Sequence, residues 1–176
     1  MGADVPVVSG NSNYELPQCI KKISAKNHEA MYQSIVSNIE NNDIYISAAA
    51  ISDYKPSYTK GKIKKGSNLI SIDLEKTKDI LSYVGENFSH KFLVGFAAES
   101  ENVVENGKNK LLSKNLDIVI GNEIKESMGK TKASMVIIDH DKNTILPKAE
   151  KDIQSRIILE YIFKLLSKEK AHDTIN

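Results

Sequence analysis

The stretch SAAAISDYKP, residues 47–56, decides how the rest of the chain is interpreted. It continues an apolar run and places small side chains where a buried strand would end. The lysine-rich segment KGKIKK, residues 60–65, follows closely. Small residues at a strand end let a ligand approach the backbone, and lysines suit a polyphosphate. The stretch therefore indicates nucleotide chemistry at one edge of a sheet.

Size and composition favour an ordinary globular protein. The chain has 176 residues, 40% hydrophobic and 27% charged, which predicts one soluble domain over residues 1–176. With 24 basic and 23 acidic residues, the charge balance gives no argument for nucleic-acid or membrane partners, and we expect neither. A single cysteine, Cys19, and the absence of a targeting signal or long apolar run predict a cytoplasmic protein.

Predicted strands and helices alternate along the chain. Strands are expected at 5–9, 20–24, 44–50, 68–76, 92–97 and 116–120, with a hairpin of 135–139 and 144–146. Helices are expected at 27–39, 78–88, 102–114 and 152–166, and the first two are expected to be capped by Asn27 and Thr77. Residues 51–68 are expected to form a mobile loop. This order predicts an α/β three-layer, Rossmann-like fold, with a mostly parallel sheet, helices on both faces and a C-terminal antiparallel hairpin.

Small residues recur at the predicted carboxyl ends of three strands, at 48–50, 95–97 and 121–122. The apolar run at 44–50 is typical of a parallel strand covered on both faces. Ligands of open α/β sheets bind outside the carboxyl ends of the strands. A crevice site at this edge is therefore expected.

Five residues are candidates for ligand contacts by position, and each has an ordinary structural alternative. Asp53 suits a ribose hydroxyl, a nucleobase or Mg²⁺, or it bonds its own turn. Lys62 lies in a glycine-containing loop that is either a phosphate lid or a solvated charge run. Lys110 and Lys114 share one helix face, which binds phosphate or simply faces solvent. Phe96 stacks on a base or completes the core. The four histidines are scattered without metal-ligand spacing, so the metal ligands stay unknown.

The segments SAAAISDYKP, KIKK, KTKDIL, VGFAAESENV and KNLDIVIGN, in this order, resemble bacterial phosphopantothenoylcysteine synthetase. This is the C-terminal domain of the bifunctional coenzyme A biosynthesis flavoproteins, in the DNA/pantothenate metabolism flavoprotein family. The resemblance extends over about residues 2–163. VGFAAE and the lysine-bearing helix after it are its most specific parts.

The resemblance implies a ligase that joins 4′-phosphopantothenate to L-cysteine through an acyl-cytidylate, consuming CTP with Mg²⁺ and releasing pyrophosphate. It assigns a flap to residues 54–68 and a dimerisation element to about 54–76, which implies a homodimer. Lys62 matches the flap lysine associated with catalysis. The implied nucleotide contacts are Ser47, Ala48, Ala49, Asp53, Lys62, Lys78, Asp79, Ile80, Leu81, Phe96, Lys110 and Lys114.

Two departures from the family pattern are expected to matter. Lys78 stands where the family usually has proline. The chain also opens at what resembles the family's second strand, so we expect part of the phosphopantothenate pocket to be missing. A flavin-binding decarboxylase is absent from this stretch, so no flavin is expected here and such a domain or chain becomes a candidate partner. The alternatives are a non-catalytic nucleotide-binding fragment that another segment complements, or a regulator of the same fold.

Overall fold

The chain divides into two compact units, each assembled from separate stretches of sequence. The structure is a computed structural model that describes residues 2–12, 14–58, 60–61, 70–127 and 129–173. The first unit contains Met1–Ile39 and Ala49–Ile80, and the second contains Glu40–Ala48 and Leu81–Asn176. A single domain over residues 1–176 stays a prediction.

The first unit begins with two short strands and a helix. β1 (Val7–Ser9) pairs in parallel with β2 (Lys22–Ser24), and α1 (His28–Ile39) follows. The Asn27 side chain caps α1 by accepting a hydrogen bond from the Ala30 N–H at 2.8 Å. The predicted strands, helix and cap are confirmed. So is the predicted apolar stripe of the helix, whose buried members are Met31, Ile35 and Ile39.

An antiparallel pair of strands, which we call the arm (residues 54–58 and 70–76), completes the first unit. β4 (Tyr54–Pro56) pairs with β5 (Leu74–Lys76). The expectation of a loop throughout 51–68 is therefore wrong at β4, and β5 is shorter than the strand predicted at 68–76. Lysine and proline are weak strand formers, so the pairing partner rather than local propensity makes β4 a strand.

Thr77 closes the base of the arm and does not cap a helix, contrary to expectation. Its hydroxyl donates to Ser52 O at 2.7 Å, and its N–H donates to Asp53 O at 2.8 Å. α2 (Ile80–Asn87) begins two residues later than predicted, so Thr77 is not at its N-cap position.

The second unit is built on a five-stranded mixed sheet. Its strands are β3 (Ile44–Ser47), β6 (Phe92–Glu99), β7 (Ile118–Glu123), β8 (Lys132–Ile138) and β9 (Asn143–Glu150). They lie in the order β3-β6-β7-β8-β9; the first three run parallel, and β8 and β9 form the antiparallel hairpin that the sequence predicts. The predicted topology is confirmed.

β3 differs from its predicted form. The apolar run at 44–50 was expected to be covered on both faces, but β3 ends at Ser47 and lies at the edge of its sheet. The Ile46 side chain is 43% exposed. By contrast, β6 and β7 occupy central positions, and their apolar residues are buried except for the half-buried Phe96 and the exposed Ala98 near the end of β6. An apolar run of strand length predicted the strand but not its place in the sheet.

Helices cover both faces of this sheet. α3 (Val103–Ser113) packs on the face that carries Val119 and Ile138, and α5 (Lys151–Asp173) packs on the other face, where Ile158 and Ile162 join the strand core. The predicted three-layer architecture is thus confirmed in the second unit. A short helix, α4 (Ile124–Ser127), was not predicted. Within the described ranges, no helix has both the length and the apolar character needed to cross a membrane.

Candidate functional site

The three parallel strands of the second unit end at one edge of its sheet. Ser47 at the end of β3 pairs with Gly95 of β6, and further along β6 Ala97 pairs with Gly121 of β7. Ser47 is half-buried, and Ala48 beyond it is exposed. Burial raises the pKa of the Tyr45 phenol, and the side-chain hydrogen bond with Ser47 works in the opposite direction. The small residues therefore lie where a crevice site was expected.

Lys110 is brought to this sheet because α3 lies very close to it. A Cβ atom added at Gly107 would be 2.3 Å from Ile138 Cδ1, so any larger residue here requires the Ile138 side chain to shift. Lys110, three residues further along α3, is half-buried, and its Nζ donates a hydrogen bond to Phe96 O at 2.6 Å. Lys110 therefore contacts the backbone of Phe96, whose side chain packs against the core cluster that includes Ile158 and Ile162.

Lys114 is the C-terminal cap of α3, one turn beyond Lys110. Its backbone N–H donates to Lys110 O at 3.2 Å. α2 packs against this turn at Gly85, where an added Cβ would be 1.9 Å from Lys114 O. The backbone position of Lys114 is thus fixed by two helices of the second unit.

In the first unit, Lys78 is held against α1. Its ammonium lies 3.9 Å from the centroid of the Tyr32 ring and also donates to the Tyr32 hydroxyl. The His28 ring, through Nε2, is 2.6 Å from Lys78 O. Lys78 stands where the family usually has proline, and these partners of Lys78 were not predicted from the sequence. Ala49, Asp53 and Asp79 lie in the same unit, the first two of them exposed.

Of the remaining residues predicted to contact the nucleotide, some lie in the described part of the structure and others do not. Ile80 and Leu81 are 2% and 7% exposed, so their side chains belong to the core and only their backbone is available to a ligand. Lys62, the predicted catalytic lysine, lies outside the described residues, as does most of the predicted flap over 54–68. The convergence of all these residues on one pocket stays a prediction.

The same edge of the second unit carries a polar cluster that sequence reasoning found only in part. Asn122, near the end of β7, donates through Nδ2 to Ser127 Oγ on α4. Ser127 is 7% exposed, and Lys151 Nζ donates to its carbonyl oxygen at 2.9 Å. The sequence placed Asn122 at a strand end, but α4 is too short to show a helical period. Ser127 and Lys151 were therefore missed.

Neither the arrangement of metal-binding side chains nor an open groove on α3 indicates a different site in the described part of the chain. Within the described part of the chain, no group of three or more His, Cys, Asp or Glu side chains is arranged to hold a metal ion. An open surface groove of about 780 Å³ contains none of the predicted site residues. Its lining is Asn102, Val103, Val104, Glu105, Lys108, Asn109, Leu112 and Glu123.

The chain is similar to curated bacterial proteins of coenzyme A metabolism. It is 34% identical over 167 residues to the coenzyme A biosynthesis bifunctional protein CoaBC of Borreliella burgdorferi, covering 93% of this chain and 43% of that protein. It is 38% identical over 125 residues to the protein of that name from Haemophilus influenzae, covering 70% of this chain and 31% of that protein. The chain thus spans less than half the length of these relatives.

A solved structure gives the same result at the level of the fold. The C-terminal domain of a coenzyme A biosynthesis bifunctional protein CoaBC superposes with a TM-score of 0.80 at 29% identity, covering 95% of this chain and 76% of that one. The DNA/pantothenate metabolism flavoprotein C-terminal domain profile matches residues 1–166, nearly the whole chain. These findings confirm the resemblance first identified from the sequence: the chain belongs to the DNA/pantothenate metabolism flavoprotein C-terminal domain family.

Proposed function

We propose that the chain is a phosphopantothenate–cysteine ligase of coenzyme A biosynthesis that uses CTP. Family membership and relatives named for coenzyme A biosynthesis support this assignment. The structural observation that best supports the assignment is the hydrogen bond from Lys110 to Phe96 O, beside the carboxyl ends of three parallel strands. An ammonium there favours a polyphosphate ligand.

In the first proposed step, a carboxylate oxygen of 4′-phosphopantothenate attacks the α-phosphorus of CTP. A new P–O bond forms, and the bond to the β-phosphate breaks. Pyrophosphate leaves with the electron pair, and the acyl-cytidylate remains. Negative charge accumulates on phosphoryl oxygens in this step, so positioned cations stabilise the transition state without a protein nucleophile.

Lysines supply these cations in the proposal. Lys110 and Lys114 bind the phosphates, Lys62 acts in catalysis, and Phe96 stacks on the base. The remaining proposed nucleotide contacts are made by Ser47, Ala48, Ala49, Asp53, Lys78 and Asp79, and by the backbone of Ile80 and Leu81. Mg²⁺ is proposed to enter with the triphosphate, since Mg²⁺ sites commonly use substrate phosphates and only one or two carboxylates, for which Asp53 is available.

In the second step, the cysteine amine displaces cytidylate. The nitrogen lone pair attacks the acyl carbon, a C–N bond forms and the C–O bond to the phosphate breaks. Cytidine monophosphate leaves with the electron pair, and the amine gives its surplus proton to solvent. The product is phosphopantothenoylcysteine, an amide.

The proposed assembly is a homodimer formed through the arm. Tyr54, Ile70, Ile72 and Leu74 of the arm are all more than half exposed. Apolar surface of this kind is typical of a protein interface. A flavin-dependent decarboxylase domain or chain is a further proposed partner, because the curated relatives are named as bifunctional proteins. The exposed free Cys19 suits the reducing cytoplasm proposed for the reaction.

Pyrophosphate release tests the proposal. Release that requires CTP, 4′-phosphopantothenate and Mg²⁺ together, followed by cysteine-dependent formation of the amide, is the expected result. CTP binding without release would favour the non-catalytic alternative. Absence of both would contradict the assignment of this site to a nucleotide.

A further inference from the structure

Asn122 has an amide group whose orientation is set by its neighbours. It lies near the carboxyl end of β7, where its backbone pairs with Ala98 of β6 and Met135 of β8. A residue flanked by strands on both sides has little backbone freedom. The side chain is half-buried, so its position is defined while part of it still reaches solvent.

Hydrogen bonds fix the direction of this amide. Asn122 Nδ2 donates to Ser127 Oγ, and Ser127 Oγ donates to Glu123 O at 2.8 Å. Ser127 is itself held by the first residue of α5, because Lys151 Nζ donates to the Ser127 carbonyl oxygen at 2.9 Å. Within the described ranges, Asn122 Oδ1 has no hydrogen-bond partner of its own. One acceptor oxygen and one remaining N–H of Asn122 are therefore available to a ligand.

Asn122 lies on the same face of the sheet as Phe96. Asn122 is paired with Ala98, and Phe96 is two residues before Ala98 on β6, so their side chains leave the sheet on one side. Strand spacing and rise place the two Cα atoms roughly 8 Å apart. The amide is thus one strand away from the residue proposed to stack on the base.

We propose that Asn122 positions the α-amino group of L-cysteine for attack on the acyl-cytidylate, and that Ser127 orients Asn122. This inference depends on the proposed ligase function. An acceptor oxygen beside a donor N–H complements the amine and carboxylate of an α-amino acid. The Asn122 oxygen accepts a hydrogen bond from the bound amine before attack as well as during it, so its removal weakens cysteine binding and raises the cysteine KM. The bonds made and broken are those of the second step above.

Three variants of the full chain test this role. Asn122→Leu removes the amide at similar volume, Ser127→Ala removes the hydroxyl that orients it, and Asn109→Leu changes an exposed asparagine on α3 as a control. Pyrophosphate release without cysteine reports the first step. Cysteine KM and kcat report the second. Hydroxylamine, which captures acyl-nucleotides as hydroxamates without an amino-acid site, reports whether the intermediate is present and reactive.

The expected result separates the two steps. In Asn122→Leu, the cysteine KM rises roughly 10- to 100-fold, the effect of losing one hydrogen bond to a charged group, while pyrophosphate release and hydroxamate formation are unchanged. Ser127→Ala shows a smaller rise in KM, and Asn109→Leu shows none. A misfolded Asn122→Leu variant would lose all three activities, and Ser127→Ala alone then decides the question.

Two outcomes would overturn the proposal, and they are distinguishable. Normal pyrophosphate release with an unchanged cysteine KM in both Asn122→Leu and Ser127→Ala removes Asn122 from amine binding and leaves the ligase assignment intact. A wild-type chain that releases no pyrophosphate overturns the ligase assignment, and the role of Asn122 with it.

Discussion

Lys110 combines a buried stem with a charged end at the edge of the sheet. The half-buried side chain reaches Phe96 O, so its ammonium is held rather than mobile. A held cation loses little entropy on binding phosphate, which makes this lysine more effective than one on a solvated surface. Lys110 therefore does not lie on a solvated helix face, which was the structural alternative for this residue.

Replacing Lys110 by methionine tests its proposed role. Lys110→Met keeps most of the apolar stem and removes the ammonium, so we expect CTP affinity and the rate of pyrophosphate release to fall. One charge-assisted phosphate contact contributes about 2–4 kcal/mol, or roughly 10²–10³ in rate. Lys108→Met, on the exposed side of α3, is the control and should leave both quantities unchanged. Equal effects in the two variants would contradict the proposal.

Asp139 joins the β8–β9 turn to α5. Its carboxylate accepts hydrogen bonds from the Tyr161 hydroxyl, from Asp141 N at 2.8 Å and from Lys142 N at 2.7 Å. Burial acts to raise the pKa of Asp139, but these hydrogen bonds outweigh it and lower that pKa below its ordinary value of 3.8. For Tyr161, burial and the same hydrogen bond raise the pKa of the phenol.

The lowered pKa of Asp139 predicts how stability depends on pH. Its contribution is complete above the ordinary pKa of 3.8 and is lost as pH falls through the lower folded-state pKa. At neutral pH, Asp139→Asn should lower the free energy of unfolding by about 1–3 kcal/mol in urea titrations, and the difference should shrink in acid. Asp141→Asn, at an exposed neighbour, is the control. A difference that stays constant through the acid range would exclude this pH linkage.

At the scale of elements, α2 and the end of α3 are in very close contact at Gly85. Of the glycines in the described ranges, Gly85 leaves the least room for an added Cβ atom. A Cβ added at Gly85 would be 1.9 Å from Lys114 O and 2.9 Å from Lys114 C. Both atoms belong to the backbone, so neither moves away without shifting a helix. The position of Lys114 therefore depends on α2.

Gly85→Ala should separate α2 from this turn. We expect the overpacked variant to lose about 1–3 kcal/mol of stability and to bind CTP more weakly, because Lys114 shifts with its turn. Thermal unfolding and calorimetric titration measure the two effects. Glu86→Ala, at the exposed next position of α2, should change neither. A Gly85→Ala variant as stable as the wild type would contradict the contact.

Sequence patterns predicted the elements whose signals are local. α1 shows a stripe of Met31, Ile35 and Ile39 behind an Asn27 cap, and β6 is a long apolar run, so both were correctly placed. β4 was missed because its strand character comes from pairing with β5 some twenty residues away. The predicted role of Thr77 was wrong because a cap-like sequence does not reveal its hydrogen bonds to Ser52 O and Asp53 O at the base of the arm.

The candidate site was predictable to a similar extent. The carboxyl ends of parallel strands, the position of Lys110 on α3 and the placement of Asn122 followed from strand order and helical spacing. Three contacts could not be predicted from the sequence: that of Lys110 with Phe96 O, that of Lys78 with its partners, and the Asn122–Ser127 hydrogen bond. None of them joins residues within a single helix or strand, and no periodic pattern in the sequence reports such a pairing. Lys62 was singled out by sequence and lies outside the described residues.

At the scale of the whole molecule, substitutions in the arm test the proposed dimer. Ile72 is 63% exposed, and we expect Ile72→Lys to convert a wild-type dimer to monomer in sedimentation velocity, because a charge in an apolar interface is costly. Ile145 on β9 is 79% exposed and lies outside the arm, so Ile145→Lys should stay dimeric. A monomeric wild type, or a dimeric Ile72→Lys, would contradict assembly through the arm.

We propose that this chain binds cytidine triphosphate at the carboxyl ends of its parallel strands. Calorimetric titration with CTP and Mg²⁺, followed by ATP and Mg²⁺ under the same conditions, measures this binding. We expect one CTP bound per chain, with clearly weaker binding of ATP and loss of the CTP signal in Lys110→Met. No heat of binding with CTP, or an identical isotherm for wild type and Lys110→Met, would contradict it.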